Sequence, residues 1–466
     1  MEIGNYKDNV CNPLPPYRRF KAINDINIDR IECNDIDLSK EFYEFCELFL
    51  EFYFNKDSQG IMSYIERMRH NSPIKKEFFS DIIKQKEIGV IFVELLDLTN
   101  YEPIIEQLED PNEILCHCAA CIANFCLYSH ECRVYFLQIR TIPVLLHNFS
   151  SYDNQTCCEA LRSINNILAD EEGIGDDYTW ETIISFLEEN LFRFDDAVLE
   201  DCSGNVLLNI SRHHLVSDSH MDRVAQLLIN AYDREIIHLH HATIECLMNY
   251  HHYHSNMFIA SVNRRVLSMI CSSLYSFSSR VVSSTLELIM NMIEVNSIEI
   301  LNAFYNDLDF LVLSSHVLSN EFSIQEDSIK VINEMLKIFH SDILEKCFQH
   351  SIYDRVLSVY SQLTFPMKYD FAIMISLGVK YSSNNERRYF LCQPLIEAII
   401  EAINCANIFE ETRVFTESLF LLSQYSDEFF EIIEENRAFM EILEASSDPF
   451  LAQISHSYST LVTSKQ

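Results

Sequence analysis

Cys116, Cys118, Cys121, Cys126 and Cys132 lie close together in the chain with His117 among them, and thiolates and imidazole are the groups that hold zinc or another soft metal. A structural zinc site needs a second paired element at fixed spacing, and Cys118-x-x-Cys121 has none. Both residues also fall on an apolar helical stripe, where a small thiol packs as a hydrophobe. His238, His240, His241, His251, His252 and His254 form a second group. Its chemistry would be metal ligation or pH sensing, or it is simply the polar rim of a helix and its turn. The chain's seven glycines stand at 4, 60, 89, 173, 175, 204 and 378, so neither GxGxxG nor GxxxxGK[ST] can be written, and GxSxG and HExxH are absent too. Those motifs let backbone approach phosphate or expose a nucleophile. The chain therefore reads as non-enzymatic, with no cofactor and no metal.

Another chemistry repeats. Asn124, Asn166, Asn209, Asn249 and Asn291, followed by Glu334 and Leu377, mark the same point of a helical phrase, at gaps of 42, 43, 40, 42, 43 and 43 residues. A carboxamide both donates and accepts hydrogen bonds, which suits it to gripping a peptide backbone or bridging neighbouring helices. Two residues before each anchor stands Ile122, Ile164, Leu207, Leu247, Ile289, Ile332 or Ile375. Six before it stands Cys118, Ala160, Ser203, Thr243, Thr285, Ser328 or Phe371. These positions form the inward stripe, while the anchor and the residue four before it share another face. A period in this range marks a stacked-helix solenoid, whose function is binding.

Seventy acidic residues against 34 basic ones give a formal charge of −36. That sign opposes direct contact with nucleic acid and favours basic proteins or peptides. Sixteen cysteines without a disulfide framework suit a reducing compartment. No signal core opens the chain and no run reaches the 18 or so apolar residues of a membrane span, so no membrane role is expected.

Pro13, Pro15 and Pro16 and the alternation of Asn, Asp and Ile from Ile23 to Asp37 predict an extended or partly disordered tail over residues 1–42. Helical pattern starts near Phe42 and fills residues 43–466, about ten units of one all-α solenoid. Each unit parses as two longer helices after a short connector. Pro143 suits a first helical turn, the turn 150–154 follows, and the next helix runs from about Gln155 to Ala169.

The phrase resembles the armadillo repeat and, more narrowly, the importin-α (karyopherin-α) family of nuclear import adaptors. Ile164-Asn165-Asn166-Ile167-Leu168-Ala169-Asp170 is similar to that family's ALGNIAGD segment, Ala119 to Asn124 to its AWALTN, and Leu207 to Arg212 to its TLSNLCRG. Residues 65–93 resemble its first repeat and 440–461 its terminal cap. The resemblance implies a right-handed armadillo superhelix whose groove binds the basic nuclear localisation signals of cargo proteins, in cytoplasm and nucleus. It implies that Asn124, Asn166, Asn209, Asn249 and Asn291 clamp the peptide backbone, and that Asp170 and Asp370 take lysine heads. It also implies importin-β and the export factor as partners. Arg18-Arg19-Phe20-Lys21 resembles the opening of the importin-β-binding segment, though Asp25, Asp29, Glu32, Asp35 and Asp37 follow where arginines are expected.

The family's tryptophan walls are replaced by Ala120, Arg162, Asn205, Glu245, Glu287, Lys330 and Ile373. Arg162 would repel lysine, although Glu159 and Asp170 stand near enough to pair with it or with cargo. Glu245, Glu287 and Glu334 are expected to point along the groove, moving basic-peptide binding toward residues 245–370 and making it depend on ion pairing, hence on salt. An alternative is an armadillo interaction scaffold with no transport role. The acidic stretch from Asp427 to Glu435 is expected to be a solvated face with phenylalanine inside.

Overall fold

The computed structural model describes residues 35–71, 83, 87–97, 111–169, 175–405, 409–445 and 448–465, and among these there are helices and turns but no strand. The described residues hold twenty-five α-helices, and the chain divides into two compact units, Met1–Asn209 and Ile210–Gln466. One long helix of each repeat carries the anchor phrase. In the first unit these inner helices are α1 (Ser58–Asn71), α2 (Pro111–Tyr128), α3 (Asn154–Ile167) and α4 (Ala197–Ser211). The second unit has α5 (His240–Tyr253), α6 (Ser279–Glu294), α7 (Phe322–Phe339), α8 (Phe365–Tyr381) and α9 (Phe409–Ser423). Within each unit successive inner helices pack on one another, as α1 on α2, α2 on α3, and α5 through α9 in series. Each unit is an all-α stack of helical repeats.

The inward stripe is the core. Ile122, Ile164, Leu207, Leu247, Ile289, Ile332 and Ile375 are all buried, as are the residues six before each anchor. Each aliphatic side chain so buried contributes about 1.5–3 kcal/mol relative to exposure. Small side chains at the second position let adjacent helices approach. Four of them carry hydroxyls, and each donates to the carbonyl one turn back: Ser203 to Leu199, Thr243 to Leu239, Thr285 to Val281 and Ser328 to Ile324, at 2.7–2.8 Å. No polar partner from the next repeat is needed, which explains why Ser and Thr stand in an apolar seam.

Among the described residues, the repeats that end in α3, α6, α7 and α8 hold three α-helices rather than the two expected. Ahead of α3 come His130–Gln138 and Thr141–His147, and ahead of α8 come Ser341–Gln349 and Ile352–Val359. Their corners are made by Arg140 (φ 60°) and Ser351 (φ 53°), left-handed residues that usually would be glycine. With no glycine at the corner, the sequence hid the break. The repeat of α5 does follow the two-helix pattern, with Asp218–Asp233 as one helix. Asp153 caps α3 by accepting from Thr156 N at 2.7 Å, so that helix starts at Asn154. The first described helix, Asp35–Phe54, begins seven residues before the expected Phe42. Trp180 is buried in Asp177–Asn190 against Gly175, a core residue. In Asp427–Glu434, Phe430 is buried and stacks on Tyr458 at 5.7 Å.

Candidate peptide-binding face

The anchor and the residues four and seven before it line one face of each inner helix, because these offsets return to the same side. In the first unit this face is largely self-satisfied. Asn124 Nδ2 donates to the Arg69 carbonyl at 3.3 Å, Asn166 Nδ2 to the Ala123 carbonyl at 2.8 Å, and Asn209 Nδ2 to the Asn165 carbonyl and Oδ1 at 3.0 and 2.9 Å. Each amide therefore ties its helix to the previous one, and Asn166 is only 5% exposed. The carboxylate of Glu159, 9% exposed, pairs with Arg69 Nη2 at 3.2 Å and Arg162 Nε at 3.2 Å. Arg162 Nη2 also donates to Asn124 Oδ1 at 2.8 Å. Arg69 Nη1 reaches His117 Nδ1 at 3.1 Å and Cys116 Sγ at 3.8 Å. The guanidinium thus occupies the cysteine–histidine cluster, where a cation opposes a second cation. Cys121 donates to the Ile65 carbonyl, and burial drives the thiols of Cys118, Cys121 and Cys126 up, away from the thiolate a metal needs. Asp170 and the segment Arg18-Arg19-Phe20-Lys21 lie outside the described residues.

The second unit is different. Asn249 Nδ2 donates to Ser211 Oγ at 2.9 Å, continuing the pattern. Asn291 makes no hydrogen bond among the described residues and is half-buried. Glu334 pairs with Lys337 at 2.6 Å, and Leu377 is buried. Glu245 accepts from Ser284 Oγ at 2.6 Å and lies 3.5 Å from His241 Nε2. Burial, helped by nearby Arg280 and Arg212, holds His241 down at about 4, so it is neutral near pH 7 and leaves the Glu245 charge in place. Glu287 is exposed and has no ion pair among the described residues.

The position seven before the anchor carries Asp327 on α7 and Asp370 on α8. On α9 the equivalent is Glu411, since Ser418 donates to the Ser376 carbonyl just before Leu377, as Asn166 does to Ala123 just before Asn124. These acids feel one another in series. Partial burial raises Glu287, and Glu245 adds to the rise. Burial also raises Asp327, opposed by Lys330 and reinforced by Glu326 and Glu287. Asp370 is pushed up to about 6 by burial, with Glu326 and Glu411 adding and Lys330 and Lys337 opposing. Lys330 is held by Glu326 at 2.5 Å. Tyr369 Oη donates to Glu411 at 2.6 Å and leaves a phenol ring beside the acids. The wall therefore carries Glu245, Glu287, Glu326, Asp327, Glu334, Asp370 and Glu411 against Lys330 and Lys337, with Arg280 and Arg212 near its Glu245 end.

The sequence reading found Glu245, Glu287, Glu334 and Asp370 but missed Glu326, Asp327, Glu411 and Tyr369. The signal was available, since a residue seven before the anchor must share its face. The remaining predicted histidines join no common site: His254 Nδ1 pairs with Asp218 at 2.6 Å and His240 stacks on Tyr232 at 4.2 Å. Among the described residues, no three or more His, Cys, Asp or Glu are grouped to hold a metal ion, and no helix is long and apolar enough to cross a membrane.

No family model and no curated protein matches the sequence. The fold is similar to the crystal structure of an engineered protein, at TM-score 0.60 and 12% identity, covering 89% of this chain and 98% of that one. A designed armadillo repeat protein also matches, at TM-score 0.37 and 13% identity, over 63% of this chain and 99% of its own.

Proposed function

We propose that this protein is a non-enzymatic adaptor that binds basic peptide segments along the inner helices of its second unit. One observation carries the reading: carboxylates from Glu245 to Glu411 recur at neighbouring positions of successive inner helices with too few cations to neutralise them. Adjacent inner helices lie about 8–10 Å apart and an extended chain advances about 3.3 Å per residue, so a ligand would meet one helix per two to three residues. Lysine or arginine at that spacing would place heads near Glu287, Asp327 and Asp370, with Tyr369 offering a ring to an aliphatic stem. The finer reading is an importin-α-like role, in which the peptide is a cargo's nuclear localisation signal and the adaptor moves between cytoplasm and nucleus with importin-β and the export factor.

Titration calorimetry of the full chain with a lysine-rich peptide tests this, with a lysine-to-glutamine peptide as control. Binding that weakens by about tenfold or more from low to physiological salt is expected. No heat at either salt rejects the reading.

A second reading is a protein-interaction scaffold without transport. The asparagine amides of the first unit, engaged between helices, favour it. Pull-down with importin-β and the export factor separates the two, because a scaffold recovers neither.

A further inference from the structure

We propose that Cys158 and Cys202 are an oxidisable dithiol, a modification site that a peroxide or a low-molecular-weight disulfide converts into a covalent link between two successive inner helices of the first unit. Register places them together. Asn209 bonds Asn165 across α3 and α4 at a separation of 44 residues. Cys202 and Cys158 are separated by the same interval, and each lies seven residues, two helical turns, before its asparagine on the same helix. The opposite end of the helix pair is also tied, by Asn154 Nδ2 to Asp196 Oδ2 at 3.3 Å. Between those two contacts the shared 44-residue register sets Cys158 and Cys202 at the same level of neighbouring helices, each on the face that carries its asparagine.

Exposure singles the pair out. Ten of the fourteen cysteines among the described residues are buried, and only Cys158, Cys202, Cys392 and Cys405 are not. Cys392 and Cys405 stand at opposite ends of Gln393–Ile403, a span of about 16 Å or more at 1.5 Å per residue, too far to join. Cys157, beside Cys158, is buried and donates to the Phe149 and Tyr152 carbonyls. A hydrogen bond from Cys202 lowers the Cys158 thiol, against burial and the carboxylates of Asp196, Glu159 and Asp153, while the same bond together with burial and the charges of Asp201 and Glu159 raises Cys202. Cys158 is thus the attacking thiolate and Cys202 the resolving thiol.

With hydrogen peroxide, the Cys158 sulfur attacks one peroxide oxygen, the O–O bond breaks, and the departing hydroxide takes a proton to become water. The Cys202 sulfur then attacks the sulfenic sulfur, the S–OH bond breaks, and a second water leaves with the Cys202 proton. Two thiols are oxidised to one disulfide as one peroxide is reduced to two waters. The bonded sulfurs close to about 2.05 Å. Such a link is reversible by thiols and suits a transient role in a reducing compartment.

The test exposes the full-length protein to hydrogen peroxide, or separately to oxidised glutathione, then blocks thiols with N-ethylmaleimide and maps peptides without reduction. The expected product is one intramolecular Cys158–Cys202 peptide in most molecules, lost on treatment with dithiothreitol and still formed by a Cys157→Ala variant. In Cys202→Ala without oxidant, which removes the donor, alkylation of Cys158 near neutral pH should slow several-fold. Recovery of both cysteines as alkylated species after oxidation, a link through Cys157 instead, or unchanged Cys158 reactivity in Cys202→Ala overturns the proposal.

Discussion

The inner faces of the two units are built from the same helical phrase yet hold opposite electrostatic characters. In the first unit Arg69 and Arg162 enclose Glu159, and the asparagine amides are consumed by carbonyls of the helix before. In the second, carboxylates outnumber lysines along α5 to α9, and burial together with mutual repulsion raises Glu287, Asp327 and Asp370. An acid on a repeat is therefore not a binding group by residue type alone. It becomes one when no cation arrives from the neighbouring helix.

The largest expected effect breaks the comparison on the acidic side. Glu287→Gln, Asp327→Asn and Asp370→Asn together should cost about 3 kcal/mol of lysine-peptide affinity, roughly a hundredfold, at about 1 kcal/mol per ion pair. Asn124→Ala in the first unit should leave affinity within about twofold. Calorimetry on both variants reads the difference, and equal losses would erase the distinction between the units.

Next is the self-satisfied side. Glu159→Ala removes the shared partner of two arginines in a site where the carboxylate is nearly buried, and should destabilise the protein by about 2–3 kcal/mol. Urea unfolding with peptide binding measured in parallel should show lost stability and retained affinity.

A smaller effect depends on pH. Asp370 holds its proton up to about pH 6, above the ordinary 3.8, so the folded chain binds that proton more tightly than the unfolded chain. Stability from this group is present below the unfolded value and is lost as pH rises through 6. Asp370→Asn should therefore stabilise by about 1–2 kcal/mol at pH 8, after allowance for partial exposure, and by nearly nothing at pH 4. Thermal melts across that range check it. A lysine bound beside Asp370 favours the carboxylate, so wild-type peptide affinity should rise between pH 5.5 and 7.5.

The smallest effect tests what the units share. Arg140→Gly and Ser351→Gly relieve left-handed corners in the first and second unit respectively and should each stabilise by about 0.5–1 kcal/mol. Melting temperatures that rise for one and fall for the other would show that the corners are not equivalent.

Much of the fold was legible. The recurrence of Ile122, Ile164, Leu207 and their successors located the seam, and every one is buried. The corners at Arg140 and Ser351 were not legible, because a left-handed residue other than glycine leaves no mark in composition. The acids of the candidate face were half legible. Asp327 and Glu411 share the anchor's helical face, but their kinship showed only after the bond from Ser418 to Ser376 fixed the register of α9.

By itself the sequence determined the helical class, the period, the apolar seam and the acidic excess, since each follows from residue types at spacings set by one helix. The tertiary structure alone decided which polar side chains were left to face a ligand. Arg69 reaches Glu159 across 90 positions of chain, and Arg162 reaches Asn124 across 38. A carboxamide or carboxylate offers the same atoms to a neighbouring repeat as to a peptide, so only the position of that neighbour decides between them.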